Sequence, residues 1–89
     1  VEIEFDPVKD EANRIKHGIP LSAASGLDLT QAISFADTRH PYGEKRTVAV
    51  APIDGRLHVL VFTLRDLRMR VISLRKANAR EKATYDRRG

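Results

Sequence analysis

The chain has 89 residues, a net charge of +4 and no cysteine. A chain this short buries roughly 60% of its unfolded surface and supports one modest core, so a single domain over residues 1–89 is expected. Disulfide frameworks and thiolate zinc sites are excluded, and the longest apolar run, Val59 to Phe62, cannot span a bilayer.

In chain order, Val1 to Phe5 reads as a short first strand. DPVKDEANRIKHG follows with the signals of a helix: Asp6 as N-cap, Pro7 at the first helical position, Asp10 and Glu11 near the positive end of the dipole, Lys16 and His17 near its negative end, and Gly18 as the left-handed stop. Val8, Ala12 and Ile15 recur at i, i+4, i+7 and are expected to form its buried stripe, while Lys9, Asn13 and Lys16 form a polar ridge. Pro20 opens a second short helix through LSAASGLDL, weakened by Gly26. Ile33 to Ala36 reads as a strand, and Asp37 to Lys45 as a polar loop punctuated by Pro41 and Gly43.

Three strands follow. Arg46 to Ala51 alternates, and Asp54-Gly55 is a strong hairpin turn signal. Leu57 to Leu64 is apolar on both faces and therefore central. Arg65 to Leu67 turns the chain, and Met69 to Leu74 returns. The expected fold is α+β: an antiparallel meander sheet with N-terminal helices and a polar C-terminal helix over Asn78 to Arg88. Phe5, Phe35 and Phe62 are assigned to the core.

Charge is polarised along the chain. Residues 1–55 hold six Lys/Arg and nine Asp/Glu; residues 56–89 hold ten and three, a balance of +7. Such a half attracts polyanions. In RMRVISLRKA, Arg68, Arg70, Arg75 and Lys76 crowd the ends of a strand that is apolar in the middle, as when a buried strand emerges at the rim of a sheet. The arginines there either snorkel to carboxylates or gather an anion. Arg70 and Arg75 fall on opposite faces of an ideal strand.

No HExxH, GxSxG, P-loop or GxGxxG occurs, and His17, His40 and His58 are scattered. RNA carries its own nucleophile, the 2′-hydroxyl. A protein cleaving it must align that hydroxyl, stabilise the phosphorane and move a proton, which arginines with one proton-bearing group accomplish without a metal. His17 titrates near neutrality; its alternative role is as a favourable cation at a helix end. His40 is a weaker candidate and His58 a structural one. Ala77, Glu81 and Tyr85 lie on one ridge of the last helix, where Glu81 could orient an Arg and Tyr85 could stack or carry a proton; alternatively they pack on the sheet and form a salt bridge. Tyr42 is a second candidate for stacking on bases.

FDPVKDEANRIKHG and RVISLRKANAREKATY, taken together, resemble the BrnT family of small bacterial toxins. Asp6, Pro7, Lys9, Asn13, Lys16, His17 and Gly18 match at the front, Gly43, Glu44 and Arg46 after the loop, and Arg70, Ile72, Ser73, Arg75, Ala77, Glu81 and Tyr85 at the end. Phe5 stands where the family usually has Trp, Val71 where it has Ile, and Pro20 where a Ser cap is common. The resemblance implies a RelE-like α+β fold, a ribonuclease without metal or other cofactor, and a cognate antitoxin carrying a ribbon-helix-helix domain, whose complex with the toxin binds operator DNA.

The resulting expectation is a cytoplasmic, metal-independent endoribonuclease toxin that inhibits translation and growth. Arg70, Arg75, Tyr85, His17 and Glu81 are its candidate catalytic residues; Lys9, Lys16, Arg46, Arg68 and Arg80 are its candidate RNA-binding residues. The alternative is a non-catalytic basic module that binds nucleic acid or an acidic protein partner.

Overall fold

A computed structural model describes residues 2–39, 41 and 43–88, so His40 and Tyr42 lie outside the described residues. The order of elements is β1 (Glu2–Glu4), α1 (Pro7–His17), two 3₁₀ turns (Leu21–Gly26 and Leu29–Gln31), β2 (Ile33–Ala36), β3 (Thr47–Ile53), β4 (Arg56–Arg65), β5 (Arg68–Lys76) and α2 (Ala79–Arg87). The strands form one sheet in the order β1-β5-β4-β3-β2. From β2 to β5 it is the expected antiparallel meander. β1 departs from that pattern: it lies parallel to β5, pairing Glu2 with Arg68 and Glu4 with Arg70. Parallel neighbours need a long connection, and here everything from α1 to β4 intervenes.

Both hairpin turns have the paired positive φ of the primed type, which matches the twist of the strands they join. Asp54 and Gly55 lie at φ 48° and 79°; Asp66 and Leu67 lie at 49° and 67°. Only the first uses glycine. Leu67 holds a left-handed conformation that is costly for a residue with a branched side chain, and it is 92% exposed.

One face of the sheet carries the main core. Ala49 and Ala51 of β3, Leu60 of β4, and Met69, Val71 and Leu74 of β5 are buried there under Leu21, Ala24 and Leu27 of the first 3₁₀ turn and its exit. Ile3, Phe5 and Phe62 pack around this group. The other face carries a smaller cluster of Val48, Val50, Val59 and Val61, covered at one end by Ala77 and Tyr85. Ala77 donates its N–H to the Leu57 carbonyl (2.9 Å), and Asn78 and Glu81 close a capping box that starts α2 beside the sheet.

The ends of α1 are as expected. The Asp6 carboxylate accepts from Val8 N–H (2.8 Å), and Gly18, at φ 72°, ends the helix with its N–H on the Arg14 carbonyl. The face it buries is the opposite of the one expected. Val8 is 75% and Ile15 80% exposed, and Ala12 is exposed with them. Asn13 is buried instead, with Asp10 and His17 half-buried beside it. The physical reason is hydrogen bonding. β1 pairs with β5 only as far as Arg70, leaving the outer edge of β5 beyond it to be satisfied. The Asn13 amide does this: Nδ2 donates to the carbonyls of Leu74 (2.8 Å) and Ile19 (2.9 Å), and Oδ1 accepts from Leu74 N–H (3.1 Å). Asp10 accepts in turn from Leu21 N–H (2.7 Å). The helix thus turns its amides and carboxylates towards the protein, because buried backbone groups there demand partners.

Candidate active site

The register between β4 and β5 slips at Val61/Phe62. Ser73 lies opposite Val61 and Val71 opposite Phe62, so Ile72 is the extra residue of a β-bulge. Residues paired across a ladder share a face. Below the bulge Arg70 pairs with Thr63; above it Ser73 pairs with Val61 and Arg75 with Val59. Thr63, Val61 and Val59 alternate on one side of β4. Arg70, Ser73 and Arg75 therefore point to the same face of the sheet, the one carrying the valine cluster, and the opposite-face expectation for Arg70 and Arg75 is corrected by one inserted residue.

α2 covers only part of that face. The remainder is an open groove of about 370 Å³ lined by Phe35, Val48, Val59, Val61, Ser73, Arg75 and Glu81, and closed at one side by Asp37, Thr38 and Arg39. Phe35 is 56% exposed and belongs to the groove's lining. Its assignment to the core is corrected, since β2 is the edge strand and α2 stops short of it.

Arg75 and Glu81 form the groove's central pair. Two parallel N–H donors of Arg75 reach the two carboxylate oxygens of Glu81, at 2.8 and 2.6 Å. That hydrogen bonding holds the Glu81 carboxyl below its ordinary range, against partial desolvation, and raises Arg75. Arg75 also donates weakly to the Lys76 carbonyl (3.3 Å). Of the five N–H groups of a guanidinium, Nε–H and one Nη2–H are left to face a ligand.

A second pair of the same design lies opposite. Asp37, its side chain 1% exposed, accepts from Arg39 Nε and Nη2, both at 2.8 Å. The charge of Arg39 acts on Arg75, lowering its proton affinity, so the two guanidinium groups are within electrostatic range of one another. Sequence reasoning missed Asp37, Arg39 and Ser73. The first two sit where the polar loop leaves β2, and the recoverable signal was an Asp two residues before an Arg, the spacing of a local carboxylate–guanidinium fork.

Beyond the groove other arginines are also matched by carboxylates, most of them distant in sequence. Arg70 pairs with Glu4 at 2.7 Å, Arg68 with Glu2 at 3.4 Å, and Glu44 holds both Arg46 (3.5 Å) and Arg65 (3.1 Å). Hydrogen bonding from Arg65 keeps the Glu44 carboxyl below its usual value, opposed by partial desolvation. Of the two roles open to these arginines, pairing with carboxylates is the one seen: Arg70 and Arg75 share a face, and each holds a carboxylate.

The other candidates are dispersed. His17 ends α1 against the outer side of β5; desolvation, then the charges of Lys16 and Arg75, lower its pKa below the usual 6.5. Tyr85 donates its hydroxyl to the Gln31 carbonyl, packs its ring on the valine cluster and has Arg88 stacked over it, 4.2 Å from the ring centroid. It braces α2 and does not line the groove. Lys9 and Lys16 stand on the outer flank of α1, and Arg80 is exposed on α2. His58 is buried with Nδ1 2.7 Å from the Arg56 carbonyl, the structural role anticipated for it. Among the described residues no three His, Cys, Asp or Glu side chains group as metal ligands would.

A family model described as the ribonuclease toxin BrnT of type II toxin–antitoxin systems matches residues 5–81. The chain belongs to the BrnT family. The α+β architecture, with helices flanking a five-stranded mixed sheet, is compatible with the RelE-like toxin fold. Membership as a BrnT toxin implies a protein antitoxin as partner and RNA as substrate. The matched stretch contains Asp37, Arg39, Arg70, Ser73, Arg75 and Glu81, and ends before Tyr85. No curated protein sequence matches the chain. Among the described residues, no helix is long and apolar enough to cross a membrane.

Proposed function

We propose that this BrnT toxin is a metal-independent endoribonuclease of the cytoplasm, that the groove between β2 and α2 receives the RNA backbone, and that a cognate antitoxin neutralises it. The observation that carries this reading is the bulge at Ile72, which turns both ends of β5 to one open face where Arg75 meets Arg39 across an apolar floor. A phosphate bound there lies between the guanidinium groups of Arg75 and Arg39, and their charge stabilises the phosphorane as it forms. Glu81 and Asp37 keep the two planar groups oriented. Such pre-aligned arginines resist reorganisation when charge develops, whereas unpaired ones would wander over many rotamers.

Phe35, exposed at the groove's edge, offers a face on which a flanking base stacks. His17, whose pKa is lowered by desolvation and then by the charges of Lys16 and Arg75, is suited to accept the 2′-hydroxyl proton. Tyr85 is poorly placed as a proton donor, since its hydroxyl already donates to the Gln31 carbonyl; its role is to seat α2 and with it Glu81. Arg46 and Arg70 bind backbone on either side of the scissile link, and Arg68 and Arg80 lie further along the same basic surface. The antitoxin is of the ribbon-helix-helix class and takes the complex to operator DNA.

The test is cleavage of a mixed-sequence RNA by the purified chain with EDTA present. Products with a cyclic phosphate or 3′-phosphate end are expected. Loss of activity in EDTA refutes metal independence, and intact RNA with folded protein at every dose refutes the nuclease and favours the binding-module reading.

A further inference from the structure

The α1 helix is amphipathic, but it is mounted in reverse. At 100° per residue, Val8, Ala12 and Ile15 lie diametrically opposite Asp10, Asn13 and His17. Asn13 is the residue the protein buries; the apolar stripe faces water, with Val8 and Ile15 about as exposed as side chains on a helix become. The core does not need these residues, since neither of its clusters includes them. A polar stripe there would serve the fold equally well, so the apolar one requires a separate explanation.

The stripe also has a shape. Val8 and Ile15 stand about 10 Å apart along the axis, and the small Ala12 between them leaves a notch. That is the relief into which a large side chain from another helix fits, ridge into groove. Its flanks carry opposite signs. Lys9 and Lys16 run down one side, and neither has an ion-pair partner among the described residues. Glu11 lies on the other side, while Arg14, beyond it, leans back to Asp10 at 3.6 Å.

We infer that the outer face of α1 is a docking surface for an amphipathic helix of the antitoxin, one whose apolar ridge enters the notch at Ala12 and whose carboxylates meet Lys9 and Lys16. The inference rests on family membership for the existence of a protein partner, and on the geometry of α1 for where that partner sits and what it looks like. A second copy of this chain is the poorer occupant: packed antiparallel through the stripe, it would set the Lys9/Lys16 edge of one helix against the same edge of the other. An extended peptide is poorer too, because it would pair with a strand edge, β1 or β2, and would leave the helical stripe uncovered.

The experiment is calorimetric titration of the full chain with the antitoxin encoded beside its gene, using Val8→Glu/Ile15→Glu and, separately, Lys9→Glu/Lys16→Glu. Removal of two central apolar contacts weakens binding by roughly a hundredfold or more. The lysine pair loses about tenfold and its salt dependence flattens. Thermal melting of the free Val8→Glu/Ile15→Glu variant is unchanged, because both positions are on the surface; if that pair fails to fold, Ala12→Arg fills the notch and is read the same way. RNA cleavage by the free Val8→Glu/Ile15→Glu variant is also unchanged, which separates this proposal from the ribonuclease reading: full binding loss with normal cleavage supports it, whereas normal binding overturns it whatever the nuclease assay gives. A free wild-type chain that sediments as a dimer, and becomes a monomer on Ile15→Glu, overturns it in favour of self-association.

Discussion

Replacement of Asn13 by Ala removes three hydrogen bonds at once: two donated by Nδ2, to Leu74 and Ile19, and one accepted by Oδ1 from Leu74 N–H. The helix that carries the side chain blocks water from the two Leu74 groups, so they lose a partner without gaining another. Leaving a buried backbone donor or acceptor unsatisfied costs about 1–3 kcal/mol each, and some relaxation offsets it. A total near 3 kcal/mol is expected, against a stability of roughly 4–13 kcal/mol for a chain of this length. At about 4–8 °C per kcal/mol the melting temperature falls by more than about 10 °C. Circular dichroism melts give the first reading. Amide hydrogen exchange at Leu74 gives the sharper one, because in the wild type that N–H is held by a side chain rather than a strand. Its protection should collapse in Asn13→Ala while Leu60, in the middle of the sheet, stays protected at native pH. A loss under 1 kcal/mol, or an unchanged exchange rate at Leu74, refutes the assignment of Asn13 as the closure of the β5 edge. Because Leu74 directly precedes Arg75, the variant should also lower RNA cleavage beyond its loss of folded fraction.

Other outcomes follow from the same geometry. Glu81→Gln keeps the capping box but loses the charge facing Arg75, and should cost about 1 kcal/mol after allowance for solvent screening of a partly exposed pair. The Glu81 pKa is lowered in the folded state, so its stabilisation is fully present above the ordinary value of 4.5 and disappears as pH falls through the folded value; the variant should flatten the acid limb of a stability–pH profile, and an unchanged limb contradicts the pairing. His17 is likewise depressed: stability is complete above pH 6.5 and declines as the ring is forced to protonate below it, a slope that His17→Gln should erase in denaturant titrations at pH 5 and pH 7. Leu67→Gly relieves a left-handed leucine in an exposed turn and should stabilise by about 0.5–1 kcal/mol, a gain that chemical denaturation would miss only if the turn is not of the primed type. Arg39→Lys should lower kcat for RNA cleavage at least tenfold while keeping a cation beside the buried Asp37 carboxylate, and cleavage at the wild-type rate would remove Arg39 from the groove's chemistry.

Much of the framework is readable from local chemistry. Asp6, Pro7 and Gly18 announce both ends of α1, Asp54-Gly55 announces a hairpin, and the apolar run Val59 to Phe62 within Leu57 to Leu64 announces a central strand, because caps, primed turns and double-sided burial each impose a residue type at a fixed position. What the periodicity of α1 does not carry is direction: a stripe at i, i+4, i+7 has the same spacing whether it faces the core or the solvent. Asn13 held the missing information, but only in combination with a strand edge 61 residues away. β1 gave no hint of its parallel pairing, since three residues alternate alike in either orientation. The candidate site was visible in its types and not in its arrangement. The cations of β5 were evident, yet Arg68 and Arg70 take their carboxylates from Glu2 and Glu4, which no local pattern ties to them. The Asp37–Arg39 fork was hidden in a stretch that reads as plain loop.

The odd residue in β5 resolves how one strand serves two masters. Had the ladder run in perfect step, a guanidinium at one end of the valine-lined face would have required the guanidinium at the other end to be driven into the greasy interior beneath Leu21. Ile72 acts as a half-period phase shift, and it lets the strand be apolar on both sides through its middle while both ends surface together. Deletion of that single isoleucine would therefore do something no point substitution can: it would swap inside for outside along one half of β5, casting either Arg70 inward or Arg75 out of the groove.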